Sequence, residues 1–111
     1  MTTYIPQKGD FVSITFDPQS GHEQKGRRPA LVVSNTLFNQ HTGLAIVCPL
    51  TQTDRGFPFH VAVVNDPNVN GFVMVEQVKS IAFRAHKANR IGRASDSVLE
   101  EVLSILDACL Y

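Results

Sequence analysis

Two short apolar runs, at positions 29–34 and 44–50, constrain the fold of this chain more than any other feature. Each run is nearly continuous in Ala, Val, Ile and Leu and is bounded by turn-forming residues. Runs of this length and composition are typical of strands that are buried on both faces. The sequence therefore predicts two central strands, and the remaining elements must pack around them.

The other segments predict a mainly β protein with one substantial helix. Alternating apolar and polar positions indicate half-buried strands, with His60 facing away from its apolar neighbours; these further strands are expected at 10–17, 57–64, 72–75 and 78–83. Asn35 and Gly43 bracket a short helical turn. The apolar stripe that starts near Ser97 predicts a C-terminal helix, with Ser97 and Glu100 as a capping box. Short consecutive antiparallel strands with a terminal helix favour a small, strongly twisted, half-open barrel.

Length and charge limit the possible partners. The 111 residues suit one domain, 1–111, which a dimer would help to stabilise. Ten basic and ten acidic residues cancel, which argues against holding duplex DNA or a membrane surface by bulk attraction. The charges are unevenly placed, however, because the segment 79–93 carries five bases and no acid. Lys25, Arg27 and Arg28 form a second basic cluster, so the surface suits a short anionic ligand.

The cysteines and the apolar runs indicate the compartment. Cys48 and Cys109 lie far apart in apolar runs and match no metal-ligand spacing, so both are expected to be buried thiols in a reducing environment. No apolar run approaches the length of a membrane span, and the first ten residues lack the hydrophobic region of a signal peptide. These features predict a cytoplasmic protein.

Three polar groups stand where central strands begin or end, and these are the candidates for chemistry. Arg28 precedes the second strand, Thr51 follows the third, and Glu76 with Gln77 follows the fifth. Such strand ends can converge on one sheet edge and reach one phosphate. No paired-Asp cluster, HExxH motif or Walker glycine loop is present, which favours a metal-free reaction on a phosphodiester. Each group also has an ordinary structural interpretation, as a surface ion pair or a turn hydroxyl. A catalytic histidine, with His22 the first candidate, is the less favoured reading.

Three motifs, in order and spacing, resemble the MazF/PemK family of toxins over almost the whole chain; they read PQKGDFVSITFDPQSGHEQKGRRPALVVS, CPLTQTDRGFPF and FVMVEQVKSIAFRA. The resemblance implies an SH3-like barrel that works as a homodimer. It also implies a sequence-specific endoribonuclease of a toxin–antitoxin module that needs no cofactor or metal. Its products would be a 2′,3′-cyclic phosphate, or the phosphate to which it opens, and a 5′-hydroxyl.

The resemblance also assigns residues. The arginine of the family's GxRPA motif falls on Arg28, the threonine after its third strand on Thr51, and the acid of its DQVKS segment on Glu76. Met74 occupies the place of an arginine that takes part in the PemK branch, so the MazF-type arrangement is the better match. A guanidinium is a poor general base at neutral pH, so Arg28 is expected to clamp the phosphate and to donate a proton to the leaving oxygen. The general base is then expected to be Glu23 or Glu76.

RNA and antitoxin contacts are expected around this centre. Phosphate contacts are predicted for Lys25, Arg27, Lys79 and Arg84, and contacts to bases for Gln52, Arg55 and Phe57. Gln77 is predicted to be a further RNA-binding residue. The resemblance implies a MazE-like antitoxin with an acidic, partly disordered tail. DNA would be contacted only indirectly, through the toxin–antitoxin complex.

Two other classes remain as alternatives. A CcdB-like toxin shares this barrel and dimer but poisons DNA gyrase without cutting RNA, and it acts through its terminal helix rather than through the positions of Arg28 and Thr51. An SH3-like peptide-binding module is disfavoured, because no aromatic cluster lies at the loop ends.

Overall fold

A computed structural model describes residues 4–15 and 26–111. In these ranges the chain forms seven strands, two α-helices and one 3-10 turn. The strands are β1 (Asp10–Thr15), β2 (Arg27–Val32), β3 (Leu44–Thr51), β4 (His60–Val63), β5 (Gly71–Met74), β6 (Lys79–Ala82) and β7 (Asn89–Arg93). The helices are α1 (Thr36–Thr42) and α2 (Asp96–Leu110), and the 3-10 turn is Val75–Gln77.

The strands form one curled antiparallel sheet in the order β4-β5-β3-β2-β1-β7, with β6 also paired to β3. On one edge β3 pairs with β2. On its other edge, β3 pairs first with β6 and then, at Leu50 and Thr51, with β5. The predicted mainly β half-barrel with a C-terminal helix is confirmed, and β2 and β3 are central as expected.

The core consists of two apolar clusters on opposite faces of the sheet. Alternation in the central strands divides them: Leu31 joins one cluster, while its neighbours Ala30 and Val32 join the other. The helix α2 covers the first cluster through Val98 and Val102, both buried. In the described ranges, no helix is long and apolar enough to cross a membrane.

Several predicted strand boundaries were wrong. The second strand begins at Arg27 instead of position 29, because Arg27 and Arg28 pair with β1 opposite Thr15 and Ile14. The strand expected at 57–64 is reduced to β4, since the backbone N–H of His60 donates to the carbonyl of Phe57 and closes a turn. Phe57 therefore lies outside the strand and is 46% exposed.

The strand β7 was not predicted, because its sequence NRIGR shows no apolar alternation. It lies at the sheet edge beside β1, where only Ile91 and Gly92 are partly covered. An edge strand with one half-buried apolar side chain gives almost no period-two signal. Nine of the fifteen residues in the basic run 79–93 thus lie in strands, four in β6 and five in β7.

The short helix α1 is capped as predicted. The Asn35 side chain accepts from the Phe38 N–H at 2.8 Å, and Gly43 closes the helix with a φ of 72°. The predicted cap of α2 was wrong, because Ser95 rather than Ser97 accepts from the Val98 N–H, at 3.2 Å. Starting at Ser95 puts the Asp96 carboxylate in the first turn, where the helix dipole favours a negative charge.

The two cysteines differ. Cys48 is fully buried in β3, as predicted, and burial raises the pKa of its thiol to about 12, with a smaller contribution from the Glu76 charge. The expectation that Cys109 is buried was wrong. This residue lies in the last turn of α2, where residues 107–111 are all exposed.

Candidate active site

Arg28 and Thr51 face each other across two central strands. In the register of β2 and β3, Ala30 lies opposite Pro49 and Leu31 opposite Cys48. Continuing that antiparallel register two residues outward places Arg28 opposite Thr51, and directly opposed residues have side chains on the same face. Both residues line one cavity of about 150 Å³, together with Pro29, Leu50 and Gln52. The sheet therefore brings a guanidinium and a hydroxyl to one place.

The sequence fixes the direction of Arg28. Pro29 restricts φ at its own position and holds the preceding residue in an extended conformation. Arg28 lies two residues before the buried Ala30, on the same side of β2 but past the edge of the core, and it is exposed. The side chain thus leaves a rigid strand at a point open to solvent.

The Thr51 hydroxyl is oriented by its own loop. Its Oγ1 accepts from the backbone N–H of Thr53 at 3.2 Å, so the hydroxyl hydrogen points away from that N–H and can be donated to a ligand. The backbone at Thr51 is fixed by Gly71, which has a φ of +114°. A Cβ on Gly71 would lie 2.4 Å from the Thr51 carbonyl oxygen, so only glycine fits at this crossing of β5 and β3.

Arg27 points elsewhere and ties strands together. Its Nε donates to the Ser13 hydroxyl at 3.0 Å, and its Nη2 donates to the carbonyls of Ser13 and Lys87 at 2.8 and 2.9 Å. These three bonds join β1 and β2 to the turn before β7. Arg27, predicted to contact RNA phosphates, has much of its donor capacity used inside the protein.

Glu76 lies at a second cavity, of about 500 Å³, which Arg28 and Thr51 do not line. The Glu76 Oε2 is 3.0 Å from Nε2 of His60, whose side chain is only 4% exposed. The ring of Phe57 packs edge-on against the imidazole, with 5.2 Å between centroids. Arg55 and Gln77 line the same cavity. Glu76 was predicted to reach one phosphate together with Arg28 and Thr51, but it does not line the cavity that those two residues share.

The remaining predicted residues are placed as follows. Gln52 donates to the Asn70 side chain at 2.8 Å. Lys79 begins β6 and Arg84 lies in the turn after it, and both are exposed. Glu23, Lys25 and His22 lie outside the described residues. Within 4–15 and 26–111, no three His, Cys, Asp or Glu side chains come together in the manner of a metal site.

Sequence reasoning missed two polar clusters. His60 meets Glu76 only because β4 and β5 pair with His60 opposite Met74, a register that local pattern does not reveal. The second cluster surrounds Asp10, whose carboxylate accepts from the Tyr4 hydroxyl and lies 3.3 Å from the guanidiniums of Arg90 and Arg93. Burial and the bond to Asp10 raise the pKa of Tyr4. In this cluster Asp10 is only 2% exposed, and both arginines belong to β7, which was not predicted.

Residues 7–110 match the sequence profile of a family described as PemK-like, MazF-like toxin of type II toxin–antitoxin systems. The chain is 38% identical over 100 residues to the endoribonuclease toxin MazF of Escherichia coli strain K12, covering 90% of this chain and 89% of that protein. It is 44% identical over 110 residues to the endoribonuclease toxin ChpB of the same strain, covering 92% and 91%.

Solved structures agree with the sequence comparison. A crystal structure of MazF from Deinococcus radiodurans superposes with a TM-score of 0.86 at 40% identity, covering 97% of this chain and 98% of that one. A MazE-MazF structure from the same organism gives a TM-score of 0.88 at 37% identity, covering 96% and 97%. The similarity in sequence and in fold therefore extends over nearly the full length of both chains.

Proposed function

This chain belongs to the PemK-like, MazF-like toxins of type II toxin–antitoxin systems, and from this premise we propose that it cuts single-stranded RNA at specific sequences without a metal ion. It is an endoribonuclease of the MazF type. The observation that best supports the metal-free mechanism is that Arg28, in β2, and Thr51, at the end of β3, line one cavity. A cation and a hydroxyl donor at one point suit the two non-bridging oxygens of a phosphodiester.

The RNA supplies its own nucleophile in this mechanism. The 2′-oxygen forms a bond to phosphorus while the bond from phosphorus to the 5′-oxygen breaks, giving a 2′,3′-cyclic phosphate and a 5′-hydroxyl. A carboxylate takes the proton of the 2′-hydroxyl, and Glu23 and Glu76 are the two candidates. The leaving 5′-oxygen takes up a proton from the Arg28 guanidinium, which regains one from solvent. Negative charge grows on the non-bridging oxygens during the step, and donors fixed in advance at such oxygens are each worth about 3 kcal/mol. Arg28 and Thr51 provide these donors.

Exposed basic and polar side chains around the centre provide the path for the RNA. Lys79 and Arg84 contact phosphates on either side of the cut, with Lys25 and the remaining donor capacity of Arg27. Unpaired bases are read by stacking and by hydrogen bonds to their edges, for which Gln52, Arg55, Phe57 and Gln77 are the candidates.

Partners follow from the family. Solved relatives include MazE-MazF structures, so the cognate antitoxin of this chain is a MazE-like protein. The toxin acts as a homodimer in the cytoplasm, where messenger RNA is available and where its cleavage stops translation. DNA is contacted only through the toxin–antitoxin complex. Gyrase poisoning of the CcdB type is not favoured, because the relatives at 38 and 44% identity are endoribonucleases.

The test is incubation of the purified protein with a long single-stranded RNA in excess EDTA, followed by mapping of the cut sites and their ends. The wild type is expected to give discrete cuts with 5′-hydroxyl ends. Arg28→Ala should lose at least a hundredfold in rate, and Arg28→Lys, which keeps the charge but not the planar fork, should recover only part of it.

Thr51 allows a matched pair of variants. Thr51→Val keeps the shape but removes the donor, and a loss of about a hundredfold is expected from about 3 kcal/mol. Thr51→Ser keeps the hydroxyl and should stay within about tenfold of wild type by the same reasoning.

Folded Arg28→Ala protein that cuts within tenfold of wild type would count against the assignment of Arg28.

A further inference from the structure

The cavity that Glu76 shares with Phe57 has the features of a site for a flat, polar ligand. Apolar side chains, Phe57 and Met74, line it together with the guanidinium of Arg55, the carboxylate of Glu76 and the amide of Gln77. Phe57 is 46% exposed, and Phe59 packs edge-on against it with 5.8 Å between ring centroids. An exposed aromatic face beside hydrogen-bonding groups is the arrangement on which unpaired nucleobases stack.

His60 determines how the Glu76 carboxylate is presented. The Nδ1 of His60 is buried and finds no hydrogen-bond partner in the described part of the chain. A hydrogen on Nδ1 would therefore be a buried, unsatisfied donor, which is costly. We infer that the imidazole carries its hydrogen on Nε2, which donates to Glu76 Oε2 across 3.0 Å.

The imidazole is held on two sides, by Glu76 and by the Phe57 ring. The backbone around His60 is also fixed, because the His60 N–H donates to the Phe57 carbonyl and the Val75 N–H donates to the Phe59 carbonyl. With Oε2 engaged, Oε1 is the acceptor that Glu76 can offer to a ligand, and the carboxylate side chain is 28% exposed at the cavity. The site therefore presents one oriented, negatively charged acceptor beside an aromatic ring.

We propose that this cavity selects one unpaired RNA base that carries an exocyclic amino group, with Glu76 accepting from that group and Phe57 stacking on the base. Adenine, cytosine and guanine each carry such a donor. Uracil presents only its N3–H, flanked by two carbonyl oxygens that the carboxylate repels. This inference rests on the proposed function, and it makes His60 a positioning residue.

The proposal also separates Glu76 from the chemical step. Glu76 lines a cavity that excludes Arg28 and Thr51, and its Oε2 already accepts from His60. A carboxylate that reads a base should change which sequences are cut. A carboxylate that takes the proton of the 2′-hydroxyl should change the rate at every sequence equally.

The experiment uses full-length protein and a pool of single-stranded RNAs randomised around one cut site, in excess EDTA, with cut sequences counted for each variant. Wild type is expected to disfavour uracil at one recognised position by at least tenfold. Glu76→Gln replaces the carboxylate, whose two oxygens only accept hydrogen bonds, by an amide that can also donate. The preference against uracil should therefore fall below threefold. The rate at the best wild-type sequence should fall less than tenfold.

His60→Phe tests the positioning role, because it keeps a ring against Phe57 but removes the bond to Glu76. The preference against uracil should weaken by three- to tenfold. His41→Ala, at an exposed position in α1, is the matched control and should leave the preference unchanged.

Three results would contradict the proposal. The first is a wild-type enzyme with no position that disfavours uracil. The second is Glu76→Gln protein that keeps both the preference and most of the wild-type rate. The third is Glu76→Gln protein that keeps the preference but loses more than a hundredfold in rate at all sequences, which would identify Glu76 as the general base. Absence of any cutting by wild type would instead overturn the proposed function, so the two failures are distinguishable.

Discussion

Gly71→Ala tests how the sheet places the Thr51 hydroxyl. The added Cβ would lie 2.4 Å from the Thr51 carbonyl oxygen, whereas real Cβ contacts essentially never fall below 3.0 Å. The two backbones must therefore separate by at least about 0.6 Å, the difference between these distances. Because the clash is with backbone, no side-chain rotation relieves it.

The magnitude follows from two costs. A non-glycine residue in a sparsely populated backbone region costs about 1–3 kcal/mol. Overpacking against neighbouring atoms costs a further 1–3 kcal/mol, typically. Displacement of a catalytic group by about 1 Å can lower the rate about a hundredfold, so a shift of roughly half that size should cost about tenfold or more.

Gly43→Ala is the matched control. Gly43 also has a positive φ, of 72°, but a Cβ there meets nothing within 4 Å. Gly43→Ala should lower the free energy of unfolding by about 1–2 kcal/mol, from left-handed strain alone, and should leave the cleavage rate unchanged. Urea denaturation measures stability, and initial rates of RNA cutting at a temperature where both variants are folded measure activity. A Gly71→Ala protein as stable and as active as Gly43→Ala would refute the reasoning.

Two further predictions concern the cysteines and the helix cap. A thiol reagent at pH 8 should label one thiol per native chain, at Cys109, because Cys48 is buried and its pKa is raised to about 12; Cys109→Ser should then show no labelling until denaturant is added. Equal labelling of both thiols in the native protein would contradict this. Ser95→Ala should lower the free energy of unfolding by about 1 kcal/mol, whereas Ser97→Ala should change it by less than about 0.5 kcal/mol. Equal losses in urea denaturation would mean that Ser95 is not the cap.

The sequence predicted the parts of the fold that local pattern encodes. The central strands β2 and β3 were recognisable because both are continuous apolar runs, and α1 was recognisable because Asn35 and Gly43 are specific cap residues. The edge strand β7 was missed because only Ile91 among its side chains is apolar. The wrong cap for α2 arose because Ser95 and Ser97 both precede an apolar stripe, and only packing decides between them.

The candidate site was also predictable only in part. Arg28 and Thr51 could be assigned to strand ends from sequence, and the antiparallel register then places them opposite each other. The pairing of His60 with Glu76 could not be foreseen, because it depends on how β4 and β5 align across an intervening turn. Predictions made at isolated positions therefore miss partners that lie on another strand.

The most direct test of the metal-free mechanism is a substrate in which one 2′-hydroxyl, on the nucleotide preceding the cut, is replaced by hydrogen. In excess EDTA, the wild-type enzyme should bind this RNA but not cut it at that position, while the unmodified RNA yields a 2′,3′-cyclic phosphate. Cutting of the 2′-deoxy substrate at an undiminished rate would mean that another nucleophile attacks phosphorus, and the account of Arg28 and Thr51 would be wrong.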